Sequence, residues 1–472
     1  MSEIIGREKE ISILQKSLND KKSNLIAIYG RRRVGKTYLI RQFFKDHILF
    51  EITGKYQGGY KDQLDGFNHE LQLKLKDAAE SSISQNWTDA FYQLEAYLDS
   101  LGTSYKKVLF FDEFPWLATA KSKFLMAFEY FWNHYCTKRN DLIVVMCGSA
   151  ASYMTQKIIQ NKGGLHNRID SAICLQPFNL YETDLFLKSK NIDFSYKDTA
   201  DIYMALGGIP HYLNKIERGL SVMQNIDRLC FEKNAPLAIE FDNLFESLFN
   251  HSELHVSIIH TLASTLHGLT RNQIIQKSGI QTSGQLTNAM TELIESGFVS
   301  EYRHYGNKTR SKHYRLSDEY AKFYLQFIKP NKNLGKGTWL NLHDTPSFRS
   351  WAGFAFEILC LKHIDQIKKA LEINGIYSVN SGWFNKEAQI DLLIDRRDRV
   401  INICEIKFYF SEFTISEKYY KELRNKIEAF RTATSTRKNL YLTMLTTFGL
   451  KTNAYSMELV QNSIELKDLF KN

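Results

Sequence analysis

With 472 residues, 43% hydrophobic and 24% charged, the chain is longer than one hydrophobic core organises, and two to four domains of ordinary globular composition are expected. No apolar run approaches the roughly 18 to 20 residues of a membrane span, and the opening MSEIIGREKE lacks the apolar core of a signal peptide, so no membrane partner is expected. The six cysteines show neither CxxC pairs nor Cys/His metal spacing, which points to reduced thiols in the cytoplasm; a net charge of +9 permits a polyanionic partner without requiring one.

In chain order, Ile4 to Leu18 carries apolar residues at helical spacing. Leu25 to Tyr29 reads as a buried strand, Gly30 to Thr37 as GRRRVGKT, and Leu39, Ile40 and Phe43 as the inner face of the next helix. GxxxxGK[ST] between a strand and a helix has a physical reason: Gly30 and Gly35 let the backbone bend. The N–H groups of Arg31, Arg32, Arg33 and Val34 and the helix N-terminus then face a polyphosphate such as that of ATP. Lys36 is placed to reach the β- and γ-phosphates and Thr37 to put its hydroxyl on Mg²⁺.

Gly54 to Leu101 is helical and polar in pattern, with Trp87, Phe91, Tyr92 and Tyr97 as packing anchors. Lys106 to Glu113, KKVLFFDE, reads as a buried parallel strand whose C-terminal edge delivers two carboxylates. Asp112 would hold Mg²⁺ through water and Glu113 would polarise the attacking water. Leu142 to Ser149 is another buried strand, and its closing Ser149 also suits an ordinary turn. The loop GGLHNRID, residues 163–170, presents Arg168, either an arginine finger for the same or a neighbouring subunit or a surface arginine in a local salt bridge. Ile173 to Phe178 reads as the last strand of this sheet. From Tyr181 to Lys215 two helices are interrupted by Gly207-Gly208-Ile209-Pro210, where glycines end one and Pro210 opens the other.

Leu254 to Leu325 reads as three short helices followed by two strands around Gly306-Asn307, the pattern of a winged helix with Gly284 to Ser296 as its recognition helix. Arg303, Lys308, Arg310, Lys312 and Arg315 make the wing basic, which suits DNA phosphates, although such modules also serve as protein-binding hinges. Lys329 to Pro346, rich in Asn, Gly and Lys, reads as a linker. Beyond it, Glu357 lies in an apolar helix, Asp391 in the strand QIDLLI, and Glu405 and Lys407 two apart on one face of the strand VINICEIKF. Asp391 and Glu405 would hold Mg²⁺ or Mn²⁺, Lys407 would orient water or stabilise developing charge, and Glu357 would stand above them, an arrangement for phosphodiester hydrolysis.

The phosphate loop GRRRVGKT, the opening IIGREKE, FFDEFPWL and the GGIP turn resemble the archaeal-type P-loop ATPases, related to STAND and AAA+ proteins. The resemblance implies that IIGREKE lies over adenine and that the Leu142–Ser149 strand sits between the phosphate-loop and Asp-Glu strands, with Ser149 as a γ-phosphate sensor. It also implies that Gly208 and Pro210 contact the nucleotide from a helical lid. The last quarter of the chain resembles the PD-(D/E)xK nucleases, without the proline that names the class. The expected fold class is α/β: a P-loop NTPase parallel sheet over 1–180, a helical lid over 181–250, a winged helix over 251–330 and an α/β restriction-endonuclease-like domain over 345–472. The expected function is an ATPase whose nucleotide state controls a metal-dependent DNA nuclease. The alternative is an ATP-switched signalling or DNA-binding scaffold with an inactive nuclease fold. Arg168 acting in trans would require a homo-oligomer.

Overall fold

The computed structural model describes residues 4–471 apart from 76–82, 161–162, 166, 250–251, 266–267, 282–283, 307–311, 333 and 344. The chain divides into two compact units, Met1–Pro177 and Phe178–Asn472.

The first unit is built on five parallel strands, β1 (Asn24–Tyr29), β2 (Ile48–Thr53), β3 (Lys107–Asp112), β4 (Leu142–Gly148) and β5 (Ser171–Cys174), in the order β2-β3-β4-β1-β5. β3 and β4 are buried along their whole length, which is why both read as unbroken apolar runs rather than alternating ones. β4 lies between β1 and β3, so the tips of all three open at one sheet edge. Trp87 and Phe91 anchor the aromatic core over this sheet, whereas Tyr92 is an exposed neighbour of Tyr130. At the other end of β3 the fully buried Lys107 ammonium pairs with Asp141 at 2.8 Å, and Arg139 holds the same carboxylate.

Two boundaries differ from the pattern. The first helix begins at Glu8, not Ile4, because Gly6 and Arg7 both adopt left-handed backbone angles, φ 64° and 67°. β5 ends at Cys174; the chain then leaves the sheet through Pro177, which has no N–H for a ladder.

The second unit opens with helices Leu180–Ser189, Tyr196–Leu206, Val222–Cys230 and Glu240–Leu248. Helices Ser252–Ala263, Arg271–Ser278 and Gly284–Glu295 follow, with β6 (Leu269–Thr270), β7 (Val299–Arg303) and β8 (Lys312–Leu316) in an antiparallel sheet of order β6-β8-β7. Lys308 and Arg310 lie outside the described residues. Downstream, β9 (Ser378–Phe384), β10 (Gln389–Arg396), β11 (Val400–Lys407), β12 (Asn439–Thr446) and β13 (Val460–Glu465) form a mixed sheet of order β13-β12-β11-β10-β9. β9 to β11 run antiparallel, while β12 and β13 continue parallel to β11. Helix Pro346–Lys362 packs on β11, and helix Glu417–Thr434 sets Leu423 and Phe430 against Leu393, Ile401 and Ile403.

The stretch read as a linker is instead packed. The N–H groups of Gly337 and Trp339 donate to Asp227 at 2.6 and 2.7 Å, and the Trp339 ring is buried among Phe231, Phe323 and Trp351. Polar composition concealed one large aromatic anchor.

Candidate functional site

In the first unit, β1 runs into the loop and the helix Lys36–Phe43 begins at Lys36, with Gly35 at φ 92°. Gly30 is obligatory, since a Cβ there would run into the Leu175 carbonyl and its φ is 136°. Arg31 and Val34 are buried, Arg32 and Arg33 are half-buried, and the Arg32 guanidinium lies 5.9 Å from the centre of the Trp116 ring. The Lys36 ammonium turns back and donates to the carbonyls of Gly30 and Arg31, both at 3.0 Å. A cation folded into a ring of loop carbonyls is a charge held where polyphosphate oxygens would compete for it.

Arg7, absent from the candidate residues, is 5% exposed and donates to the carbonyls of Val34 at 3.2 Å and Gln176 at 2.7 Å. It ties the opening segment to the back of the loop. The left-handed pair Gly6-Arg7 makes this reach feasible; an arginine following a glycine just before a helix was the available signal.

The two carboxylates at the tip of β3 have different partners. Thr37 Oγ1 donates to Asp112 Oδ2 at 2.9 Å, bringing together the hydroxyl and carboxylate that a divalent cation would join. Glu113, at φ 45°, turns away from the strand, and its carboxylate accepts from Ser149 Oγ at 2.6 Å and Ser149 N–H at 3.2 Å. β4 lies beside β3, so Ser149 reaches Glu113 from the adjacent strand tip. Arg168 is exposed in a turn of this unit.

In the second unit, Gly208 is explained by backbone packing: a Cβ would overlap the Phe178 carbonyl, and Phe178 N–H donates to Gly208 O at 2.7 Å. Pro210 opens the short helix Pro210–Leu213, where its missing N–H costs nothing.

The C-terminal carboxylates fall into two groups. Asp391 and Glu405 sit one step past the last registered pair, Leu392 with Cys404, on adjacent antiparallel strands. The β9–β10 pairing slips between Ile390 and Leu393, a bulge that re-aims Asp391. Asp391 and Glu357 line one cavity of about 230 Å³, together with Tyr302, His304, His313 and Arg315 from the β7–β8 hairpin. Burial, then the Asp391 charge, raises the Glu357 carboxyl to about 8. Glu405 is 3% exposed and held in a different network, with Tyr419 OH at 2.5 Å, Lys426 at 2.6 Å and Lys407 at 3.1 Å. Burial opposes its charge, but the two lysines prevail and its pKa is lowered.

This corrects the expected arrangement in two respects. The acids that share the cavity are Asp391 and Glu357, whereas Glu405 is compensated by Lys407, Lys426 and Tyr419. The basic face expected of the hairpin is also divided, because Arg315 turns inward, 3.5 Å from Glu357 and 4.7 Å from the centre of the Tyr302 ring. Tyr419 and Lys426, seven apart on one helix and so on one face, were the signal for the second lysine. Among the described residues no three His, Cys, Asp or Glu side chains converge as metal ligands. The cavity pair still offers two oxygen donors of the kind a hard cation takes, one of them, Glu357, raised in pKa by burial and by the Asp391 charge against the opposing pull of Arg315 and Lys322. No described helix is long and apolar enough to cross a membrane.

Residues 4–216 match a family described as an ATPase domain predominantly from Archaea. An uncharacterized protein of Methanocaldococcus jannaschii is 23% identical over 428 residues, 89% of this chain and 91% of that one. An uncharacterized ATP-binding protein of the same organism is 48% identical over 42 residues, 9% of this chain and 71% of that one. Among solved structures, the Walker-type ATPase of Pyrococcus abyssi aligns with a TM-score of 0.47 at 18% identity, covering 68% of this chain and 96% of that one. The ORC2 protein of Aeropyrum pernix, in ADPNP–ADP complexes, aligns with a TM-score of 0.42 at 14% identity, covering 77% and 96%. The phosphate-loop geometry and the family match over residues 4–216 together mark the N-terminal part of the chain as a P-loop ATPase domain.

Proposed function

We propose that the N-terminal unit binds and hydrolyses ATP with Mg²⁺, and that its nucleotide state controls a DNA-cleaving C-terminal domain. For the ATPase step the supporting observation is the pairing of Thr37 with Asp112 beside the pairing of Glu113 with Ser149. Lys36 leaves the Gly30 and Arg31 carbonyls for the β- and γ-phosphates, and the loop N–H groups take the remaining oxygens. Thr37 and Asp112 would hold Mg²⁺, which neutralises charge developing on the phosphates. Glu113 orients and polarises the attacking water once it is released from Ser149. Ser149 thereby acts as the sensor of the γ-phosphate. Arg168, exposed in its turn, is available as a finger to a neighbouring copy, which requires a homo-oligomer. Gly208 and Pro210 remain nucleotide-contact candidates through the lid. Cytoplasmic location is part of the same reading.

The three helices and the β7–β8 hairpin are read as a winged helix, and the β9–β13 sheet with its helices as a PD-(D/E)xK nuclease domain. The observation that carries this is the cavity shared by Glu357 and Asp391 beside the Glu405–Lys407 pair. Asp391 and Glu357 would hold Mg²⁺ or Mn²⁺, which would polarise the phosphoryl oxygen and activate water. Glu405 stays paired with Lys426 and Lys407 beside them, and Lys407 would stabilise charge developing on the phosphate. The test is cleavage of plasmid, linear and branched DNA with Mg²⁺ or Mn²⁺, with and without ATP. Asp391→Ala should abolish cutting and spare ATP turnover, and Lys36→Ala should show whether ATP gates cutting. Cutting that survives Asp391→Ala would refute the assignment.

A specific observation favours a second reading. Both Glu405 oxygens are already engaged, by Tyr419 and Lys407 on one side and Lys426 on the other, as in an ion-pair network that stabilises a scaffold. ATP turnover with no cutting of any substrate would select this reading, an ATP-switched binding protein.

A further inference from the structure

The β7–β8 hairpin does not stand free. Tyr305 N–H donates to Gly382 O at 2.8 Å, and His304 forms a parallel bridge with Gly382, so the hairpin is joined by backbone pairing to the edge strand β9. Such pairing covers an exposed strand edge and makes the hairpin a fixed wall of the C-terminal sheet. Side chains alternate along the hairpin. Tyr302 faces His313 and Ser300 faces Arg315, whereas Arg303 pairs across with Lys312 on the opposite face. The inward set of Tyr302, His304, His313 and Arg315 lines the cavity, while outward Lys312 is occupied by Glu301 at 2.8 Å.

The cavity therefore has two chemically distinct walls. One carries the Glu357 and Asp391 carboxyls; the other carries a guanidinium, 3.5 Å from Glu357 where the walls meet, and two imidazoles whose rings meet at right angles with centroids 4.4 Å apart. Arg315 is pre-organised: it lies over Tyr302 and donates through Nε to Ser300 Oγ at 3.3 Å. At the rim stands Phe384, 53% exposed, with its ring 4.6 Å from His304. A guanidinium and two imidazoles meeting two carboxyls, with an exposed aromatic at the mouth, fit a ligand that joins phosphate to a π-face, its phosphate taking the place of Glu357 on Arg315. The volume, below the roughly 300–1,000 Å³ of drug-sized pockets, limits the enclosed part to about one phosphate with its sugar.

We propose that this cavity binds one phosphodiester of a DNA strand, with its oxygens on Arg315, His304 and His313 and the adjoining base stacked on Phe384. The inference rests on the DNA-handling reading above and adds the recognition surface: the hairpin contributes its inward face to the C-terminal site rather than its outward face to a duplex. Planar guanidinium suits phosphate oxygens bidentately, and base stacking on an aromatic is tolerant of sequence.

The experiment measures binding of fluorescein-labelled single-stranded DNA to the purified full chain by anisotropy, without divalent cations and across salt concentrations. The variants are His304→Ala with His313→Ala, Arg315→Lys, Phe384→Ala, and Arg303→Ala with Lys312→Ala, each checked for folding by circular dichroism and melting. The inward double variant should bind about tenfold more weakly. Arg315→Lys, which keeps charge but loses the fork, should fall between it and wild type. Phe384→Ala, at an exposed position that leaves folding intact, should weaken binding at least about fivefold with an unchanged salt slope, because stacking releases no counterions. The outward pair should change binding less than about threefold. Wild-type affinity in both the inward and Phe384 variants, loss confined to the outward pair, or no DNA binding by wild type would each overturn the inference. Cleavage is read separately: binding that follows this order in a protein that cuts nothing would sink the nuclease reading and leave the inference standing.

Discussion

Both units end buried strands in carboxylates, yet the partners differ. At the tip of β3, Asp112 and Glu113 meet hydroxyls, from Thr37 and Ser149, and the nearby lysine is turned onto backbone carbonyls. In the second unit, Glu405 near the end of β11 meets two lysines, and Glu357, on the helix packed against that strand, meets an arginine. A hydroxyl is neutral and gives way easily to water or a cation, whereas a lysine paired with a buried carboxylate neutralises it and is costly to remove. The first site meets its carboxylates with neutral hydroxyls; the second carries its own counter-ions.

Four measurements sharpen or break that contrast, in descending size. Glu113→Gln should lower ATP turnover about 10²- to 10³-fold, roughly 3–4 kcal/mol, while nucleotide binding persists. Full turnover in this variant would remove Glu113 from the chemistry and with it the contrast.

The next test concerns charge that the second unit excludes. His363 is 1% exposed, donates from Nδ1 to Leu359 O at 2.7 Å and accepts the Leu180 N–H on Nε2 at 2.9 Å, so its neutral form is built into the fold. Burial lowers its pKa to about 4. The unfolded chain, with an ordinary value near 6.5, takes up the proton first. Stability is therefore complete above about pH 6.5 and falls by about 3 kcal/mol as pH drops toward 4. Urea unfolding across this range should show that loss in the wild type and not in His363→Gln.

Lys426→Met comes next. It strips Glu405 of one of two lysines, and with Lys407 and Tyr419 still in place should cost about 2 kcal/mol, less than the full cost of breaking an isolated buried pair. Because the folded pKa of Glu405 is lowered, its contribution is present above about pH 4.5 and lost below it, a window beneath that of His363. Calorimetry should find this acid limb reduced in the variant. Ser149→Ala is expected to have the smallest effect, a change in turnover of about tenfold or less, since it frees Glu113 but leaves the carboxylate in place. A loss as large as that of Glu113→Gln would mean that the serine acts in the chemistry directly.

Much of the first unit could be read from the chain because its signals are local. GRRRVGKT specifies a loop within eight residues, and buried parallel strands advertise themselves as apolar runs, so β1, β3 and β4 fell where the pattern put them. Arg7 escaped notice because its partners, Val34 and Gln176, are 27 and 169 residues away. Trp339 was hidden by polar neighbours, since composition averages away a single anchor.

In the second unit the acids Glu357, Asp391 and Glu405 and the spacing of Lys407 were visible in order, but their grouping was not. Order along the chain says which residue types occur on which element. It does not say that a bulge re-aims Asp391, that Lys426 arrives from a helix to hold Glu405, or that the β7–β8 hairpin closes the cavity with Arg315. The sequence alone determined the phosphate loop, the strands that carry acids and the helical periodicity, because backbone bending, burial and side-chain alternation act over a few residues. Only the tertiary structure decided which charges meet, because ion pairing and cavity formation depend on distances between elements separated by tens of residues.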